Sequence, residues 1–435
     1  MEVWALVMFA VLFLLLLAGF PVAFTLGAVS LGFGSVFLGL DFFNLLPHRI
    51  WGIMTNFTLL AVPLFVFMGV ILEKSGIAEE LLETMGQLFG RVRGGLAISV
   101  VIVGALLAAT TGVVGASVVT MAVIALPVML KNGYSPSLAG GTIATSGTLG
   151  QIIPPSIILI LLGDVIGVPV GQLFIGAAIP GALLVIGYIA YIGFIAWQNP
   201  ALAPAISLGS DSTENLGYKI LKSLLPALSL ILAVLGSIFF GIASPTESAA
   251  VGALGAILLA ISHRKLSLEN LNKAMQQTTR LTSMVFLILI GATAFGLVFV
   301  GMGGDKLIFD IFSGLPGGKW GFLILSMVLI FVLGFFLDFI EICFIVVPII
   351  APIAIHMGLD PLWFALLIAL NLQTSFLTPP FGFSLFYLKA SAPTLKLQDI
   401  YRGVIPFIVI QVIVLALVIS FPSLTLWLPS LMDAY

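Results

Sequence analysis

At 435 residues, with 61% hydrophobic and only 8% charged side chains, the chain has too little polar surface for a water-soluble domain and the composition of a polytopic membrane protein. A net charge of -2 without a basic tract speaks against nucleic acid as a partner, and a single cysteine, Cys343, excludes an internal disulfide. The opening MEVWALVMFAVLFLLLL lacks the basic start of a cleaved signal peptide, so its apolar run reads as a retained span.

Apolar runs long enough to cross a bilayer, about 17–25 residues each, are predicted in chain order near 3–18, 21–40, 50–73, 138–163, 171–197, 222–241, 246–262, 281–302, 362–388 and 398–428. Two further runs, near 95–130 and 320–355, are too long for one span, and each has an interrupted centre: TTGVVGAS at 110–117 and LDFIEI at 337–342. A re-entrant helical hairpin fits both, because non-helical backbone at membrane depth survives only where it is buried in protein or faces water. Two amphipathic stretches, 78–95 and 305–319, are predicted to lie along the membrane surfaces as arms.

Internal symmetry is the strongest signal in the chain. At a constant offset of 225 residues, Pro127 matches Pro352, Gly133 matches Gly358, Pro136 matches Pro361, and Pro154-Pro155 matches Pro379-Pro380. Two copies of one unit are therefore expected, 1–197 and 222–435, joined by a polar linker at 198–221. Five full spans plus one hairpin per copy make an odd number of crossings, so the second copy must be inverted. With the linker cytoplasmic, only Arg49, Lys306 and Lys319 of the 16 Lys and Arg residues fall outside, as the positive-inside rule requires. Both termini are then expected on the outer face. The predicted fold is all-α, with two inverted-topology repeats of five spans and one re-entrant hairpin each, the architecture of a secondary transporter in which substrate and ion sites form at broken helices near the midplane.

The breaks carry the chemistry. In TLGQIIPP the prolines free backbone carbonyls one turn back, and Thr148 and Gln151 stand beside them; LQTSFLTPPFG offers Thr374, Ser375 and Thr378 in the matching place. Hydroxyl and carbonyl oxygens without thiolates or imidazoles suit a hard monovalent cation such as sodium. At the hairpin tips, Thr111, Gly115 and Ser117 supply only backbone and hydroxyl oxygens in the first, whereas the second carries Asp338 and Glu341. A carboxylate at helix-centre depth costs roughly 2.5–3.5 kcal/mol on insertion scales. Two readings are open: a sodium ligand or proton-coupled site with Asp338 nearest the tip, or charges simply solvated in an aqueous vestibule. Glu247, just after Pro245, is explained as a helix N-terminal carboxylate. His48, His263 and His356 fall at span ends, and neither a nucleophilic triad nor a phosphate loop is visible, so an enzyme is not expected.

The segments LLAVPLFVFMG (59–69), GVVGASVVTMAVIALPVMLKNGYSPSLAGGTIATSGTLGQIIPPS (112–156), ASPTESAAVGA (243–253) and LQTSFLTPPFGFSLFYLK (372–389) resemble the large membrane subunit of tripartite ATP-independent periplasmic (TRAP) transporters over nearly the whole chain. The resemblance implies a sodium-driven elevator carrier in the bacterial or archaeal inner membrane. Its expected cargo is a small organic acid such as a C4-dicarboxylate, a sialic or sugar acid, or a 2-oxo acid. It also implies two partners, a small four-span membrane subunit and a soluble periplasmic binding protein. Carried onto this chain, the ion sites fall at Thr111, Gly115 and Ser117 with Gly147, Thr148 and Gly150, and at Asp338 with Thr374, Ser375 and Thr378. The acid would lie between them, near Ser117, Thr148, Gln151, Asn371 and Thr374. Both hairpins and both broken helices would move as a block against a scaffold of the other spans. A self-sufficient sodium/dicarboxylate symporter of similar fold is the alternative within transport, and a non-transporting membrane scaffold protein the alternative outside it.

Overall fold

In a computed structural model the protein is described at residues 1–111, 114–206, 224–314 and 316–431, with backbone alone at 78, 108–111 and 313. Among the described residues it is helical without strands, as a chain in lipid must be unless it closes a barrel.

Both over-long apolar runs are hairpins. The first has limbs Gly95–Thr111 and Val114–Lys131; the second has limbs Gly318–Leu333 and Phe339–His356, the latter with a π-helical turn at Ile342–Val346. Each hairpin is followed by a broken helix. Pro136–Thr148 continues as a tight turn at Leu149–Gln151, passes the cis Pro154-Pro155 bond, and resumes as Ile157–Ile166. Pro361–Leu377 stops before the cis Pro379-Pro380 bond and resumes as Phe383–Ser391. The matched residues take matched conformations: Gly133 and Gly358 have φ of 80° and 77°, left-handed values at which a side chain would be strained. Pro136 and Pro361 open their helices, where a missing N–H leaves nothing unpaired.

The remaining helices divide by packing. Glu2–Leu17, Val22–Phe37, Ala61–Lys74, Pro245–Ser262 and Leu268–Gly301 form an outer group held by close small-residue contacts. An added Cβ at Gly291 would stand 2.8 Å from the Ala23 carbonyl oxygen, and one at Gly252 2.7 Å from Met68 Sδ. Val170–Gln198 and Leu397–Ser420, expected in the scaffold, instead join the hairpins and broken helices. Ser137 and Gly141, one turn apart on the first broken helix, admit Gly403 so closely that a Cβ on Gly141 would meet its carbonyl oxygen at 2.2 Å. Tyr188 packs on Phe407 at 5.3 Å and accepts a 2.9 Å hydrogen bond from Gln411 Nε2, and Trp363 Nε1 donates to the Val418 carbonyl at 2.9 Å. Helices that are apolar all round reveal no partner-facing stripe in sequence, so small residues and these polar contacts decide the assignment.

Three boundaries also differ. The run predicted as one span at 50–73 is bent by 55° between Leu40–Met54 and Thr58–Lys74. The span predicted at 281–302 is the end of a continuous helix from Leu268, capped by Ser267, whose hydroxyl accepts from Asn270 N. The arms are shorter helices, Ile77–Phe89 and Gly304–Ser313. Most of the linker lies outside the described residues. Its first part is anchored to the first hairpin's surroundings, with Gly94 N donating to Ala203 O at 3.0 Å, Ser135 N to Leu202 O at 3.0 Å and Ile206 N to Gly90 O at 2.7 Å.

Candidate functional site

The site is assembled where each hairpin meets the broken helix that follows it. On the first side the fit is glycine-tight. A Cβ on Gly147 would stand 2.3 Å from Val118 Cγ2 and 3.0 Å from Val118 N, and one on Gly104 would stand 2.5 Å from Ser146 Cβ. The backbone beside Ser117 therefore abuts Gly147; the Thr111 side chain lies outside the described residues. On the second side the close approach is made from the hairpin instead: the absent Cβ of Gly334, just past the first limb, falls 2.2 Å from Ser375 Oγ.

The hydroxyls at both breaks share one geometry and are buried, Thr378 only partly. Thr148 Oγ1 donates to Thr145 O at 2.8 Å, Ser146 Oγ to Ile143 O at 3.0 Å, Thr374 Oγ1 to Leu370 O at 2.9 Å, Ser375 Oγ to Leu372 O at 2.9 Å and Thr378 Oγ1 to Thr374 O at 2.7 Å. Each proton is committed to its own helix, which leaves the oxygen lone pairs as the only outward-facing polarity. Such a set offers acceptors and no free protons, the donor chemistry that a hard cation needs.

Gln151 is the exception and the most informative side chain of the group. It is fully buried, and both its Nε2 and Oε1 are without a hydrogen-bond partner; the Oγ1 atoms of Thr142 and Thr145 on the same broken helix are likewise unpartnered. A buried polar atom left unpaired costs about 1–3 kcal/mol, so the amide of Gln151 marks a place suited to a polar guest. Gln373, also fully buried, lies near the Tyr188 hydroxyl without a well-formed bond to it.

The two acids at the second tip are held by the backbone. Phe339 N donates to Asp338 Oδ1 at 2.7 Å and Asp338 N donates to Glu341 Oε2 at 3.1 Å, a capping box that starts the second limb. The helix N-terminus thus offsets part of the penalty of carboxylates at this depth. Asn371 has a defined partner, its Nδ2 donating to Met327 O at 2.7 Å, so its amide holds the first limb of the second hairpin to the broken helix. The Glu247 expectation holds: it forms a capping box with Ser244, and neighbouring Thr246 Oγ1 ties the helix start to Phe57 O at 3.0 Å. Among the described residues no cluster of three or more His, Cys, Asp or Glu could hold a metal ion.

Sequence reasoning missed two residues here. The Tyr387 ring, on the helix after the second break, lies against Gly115 of the first hairpin, with ring carbons 3.0–3.2 Å from where a Cβ would stand. Asp164, at the end of the first broken helix, accepts a hydrogen bond from Asn56 Nδ2 in the bend of the outer group. Neither contact has a local signature, since each joins residues of distant segments.

The family profile described as "Tripartite ATP-independent periplasmic transporter, DctM component" matches residues 9–424. The chain belongs to this TRAP large-permease family. This large permease is 31% identical over 97% of both chains to the sialic acid TRAP transporter large permease SiaM of Vibrio cholerae. It is 30% identical to the C4-dicarboxylate TRAP transporter large permease DctM of Pseudomonas aeruginosa, covering 86% of this chain and 87% of that one. In fold the permease is similar to the Alcanivorax borkumensis YdaH transporter, with a TM-score of 0.62 at 16% identity, over 96% of this chain and 98% of that one. It is a multi-pass membrane permease component whose relatives are transporters, not enzymes.

Proposed function

We propose that this TRAP large permease imports a small organic acid, of the C4-dicarboxylate, sialic or sugar acid, or 2-oxo acid class, by sodium symport across the bacterial or archaeal inner membrane. The observation that carries this reading is the buried, unpartnered amide of Gln151 beside hydroxyls whose protons are already committed. In this reading the first sodium ion sits at Thr111, Gly115 and Ser117 with Gly147, Thr148 and Gly150, and the second at Asp338 with Thr374, Ser375 and Thr378. Sodium, when bound, supplies positive charge at breaks whose own segments, 147–156 and 371–382, carry no arginine or lysine. The acid lies between the ions, where Gln151 offers a free donor and Ser117, Thr148 and Thr374 line the space; Asn371 contributes by fixing the second hairpin.

Movement in this reading is that of an elevator, with the hairpins, broken helices and the two helices packed on them sliding against the outer group. Aromatic pairs lie on this boundary, Phe65 on Phe174 at 6.4 Å and Phe13 on Phe336 at 6.4 Å. The arms Ile77–Phe89 and Gly304–Ser313 link the two groups along the membrane surfaces. The partners are a small four-span membrane subunit and a soluble periplasmic binding protein that delivers the acid, with both termini of this chain on the periplasmic side.

The test is uptake of radiolabelled organic acids into proteoliposomes holding the permease and its small partner, under an inward sodium gradient. Uptake that requires both sodium and the binding protein is the expected result. Sodium-driven uptake by the permease alone would replace this reading with a self-sufficient symporter, and no uptake under any condition would overturn carriage altogether.

A further inference from the structure

A cavity of about 850 Å³ lies between the two groups of helices, away from the candidate site. Its walls are the outer helix Leu268–Gly301, the arm Gly304–Ser313, the second limb of the second hairpin and the bend at Arg49 and Ile53. The lining changes along its length. At the deep end are Leu289, Phe295, Phe344 and Ile345, all apolar, and at the other end are Arg49, Lys306, Asp305 and His356, all exposed. From Phe344 to His356 the limb rises about 18 Å at ~1.5 Å per residue. That is close to one leaflet, about 15 Å or half of a ~30 Å hydrocarbon core.

An apolar slot one leaflet deep, opening at a charged rim, has the shape and polarity of an acyl chain with its headgroup. The rim fits a phosphodiester. Arg49 and Lys306 have no ion-pair partner among the described residues, whereas of the two carboxylates lining the cavity Asp164 is engaged by Asn56. Asp305 has no ion-pair partner among the described residues, and its carboxylate is matched to the ammonium of an ethanolamine headgroup. The wall offers room as well, since a Cβ on Gly296 would meet nothing within 4 Å.

We propose that this cavity is a phospholipid site: one acyl chain of a phosphatidylethanolamine from the adjacent leaflet lies between the outer helix and the second hairpin, its phosphate held by Arg49 and Lys306. Phe309 of the arm stands edge-on to His356 at 4.9 Å, closing the rim beside the headgroup. The lipid thereby fills the boundary between the two helix groups in this arrangement, where apolar walls would otherwise face each other across a gap. The inference rests on the membrane setting and the cavity alone, so it stands or falls separately from the cargo and from sodium.

The experiment uses the full-length permease with its small partner in phosphatidylethanolamine nanodiscs containing an analogue with a diazirine on the acyl chain. After irradiation, peptide mass spectrometry locates the adducts. In the unaltered protein adducts are expected on 289–300 and 344–353 in addition to the outer lipid-facing surfaces. Gly296→Phe, which places a ring in the slot, is expected to lose the adducts on those two segments and keep the surface ones. R49Q/K306Q is expected to reduce them without filling the slot. Absence of adducts on both segments in the unaltered protein would overturn the proposal whatever the variants do; so would equal labelling of G296F.

Discussion

The contact between Gly334 and Ser375 is the most exacting test of how the second hairpin is seated. In Gly334→Ala the new methyl would stand 2.2 Å from Ser375 Oγ and 2.9 Å from Ser375 Cβ. Turning the Ser375 side chain does not relieve the clash. It would forfeit the 2.9 Å bond from Ser375 Oγ to Leu372 O, a net of about 0.5–1.5 kcal/mol, and the Cβ would stay in place. Ordinary carbon–carbon contact is about 3.5–4.0 Å, so the hairpin must retreat by roughly 0.6–1.1 Å. Overpacking of this kind costs about 1–3 kcal/mol, and each ~1.4 kcal/mol is tenfold in an equilibrium constant. G334A is therefore expected to lower the thermal unfolding midpoint and to raise the sodium concentration for half-maximal uptake by about tenfold or more. The exchange variant G334A/S375G moves the methyl to the other side of the contact and should recover the unfolding midpoint. If Ser375 is an ion ligand, sodium dependence stays impaired in the exchange variant. Unchanged stability and sodium dependence in G334A would refute the described seating, and full recovery of both in the exchange variant would remove Ser375 from the ion site.

Asp338→Asn keeps an N-cap of comparable quality, so stability should hold while sodium-dependent uptake falls; unaltered sodium dependence would reduce Asp338 to a capping residue. Gly115→Ala puts a methyl 3.0 Å from the Tyr387 ring, and uptake should drop severalfold and be regained in G115A/Y387A, whereas additive losses in that double-mutant cycle would show that the two do not meet in the working protein. Asn56→Ala removes the hydrogen bond to Asp164 from the boundary between the helix groups and is expected to cost about 1.5–3 kcal/mol where the acceptor is charged, against a smaller loss for Asp164→Asn, which retains an acceptor; equal unfolding midpoints for N56A and the unaltered protein would contradict the link. Ser244→Ala breaks the capping box with Glu247 and should lower stability by about 0.5–2 kcal/mol without moving the sodium dependence, a shift in which would give that segment a role in transport.

Much of the architecture follows from residues that act locally. The membrane setting is set by composition, because an apolar chain of this kind cannot be solvated in water. The breaks at Pro154-Pro155 and Pro379-Pro380 follow from the missing proline N–H, and the hairpins from runs too long for one span with polar or glycine-rich centres. The repeat is legible because glycine and proline mark backbone geometry wherever they stand, so that Gly133 and Gly358 announce the same turn. The hydroxyls of the candidate site were legible too, since they lie within a turn or two of those prolines.

Contacts between distant segments were decided only by the tertiary structure. Helices bathed in lipid are apolar on every face, so nothing in Val170–Gln198 or Leu397–Ser420 tells which neighbours they choose; the choice rests on the close approach of Gly141 and Gly403 and on Gln411 reaching Tyr188. The same holds for Asn56 meeting Asp164, for Tyr387 covering Gly115, and for the leaflet-deep cavity beside Gly296. Gln151 shows both halves of the division. Its place beside a break is written in the chain, but its full burial with neither amide atom paired emerges only once the hairpin and the broken helix have packed around it.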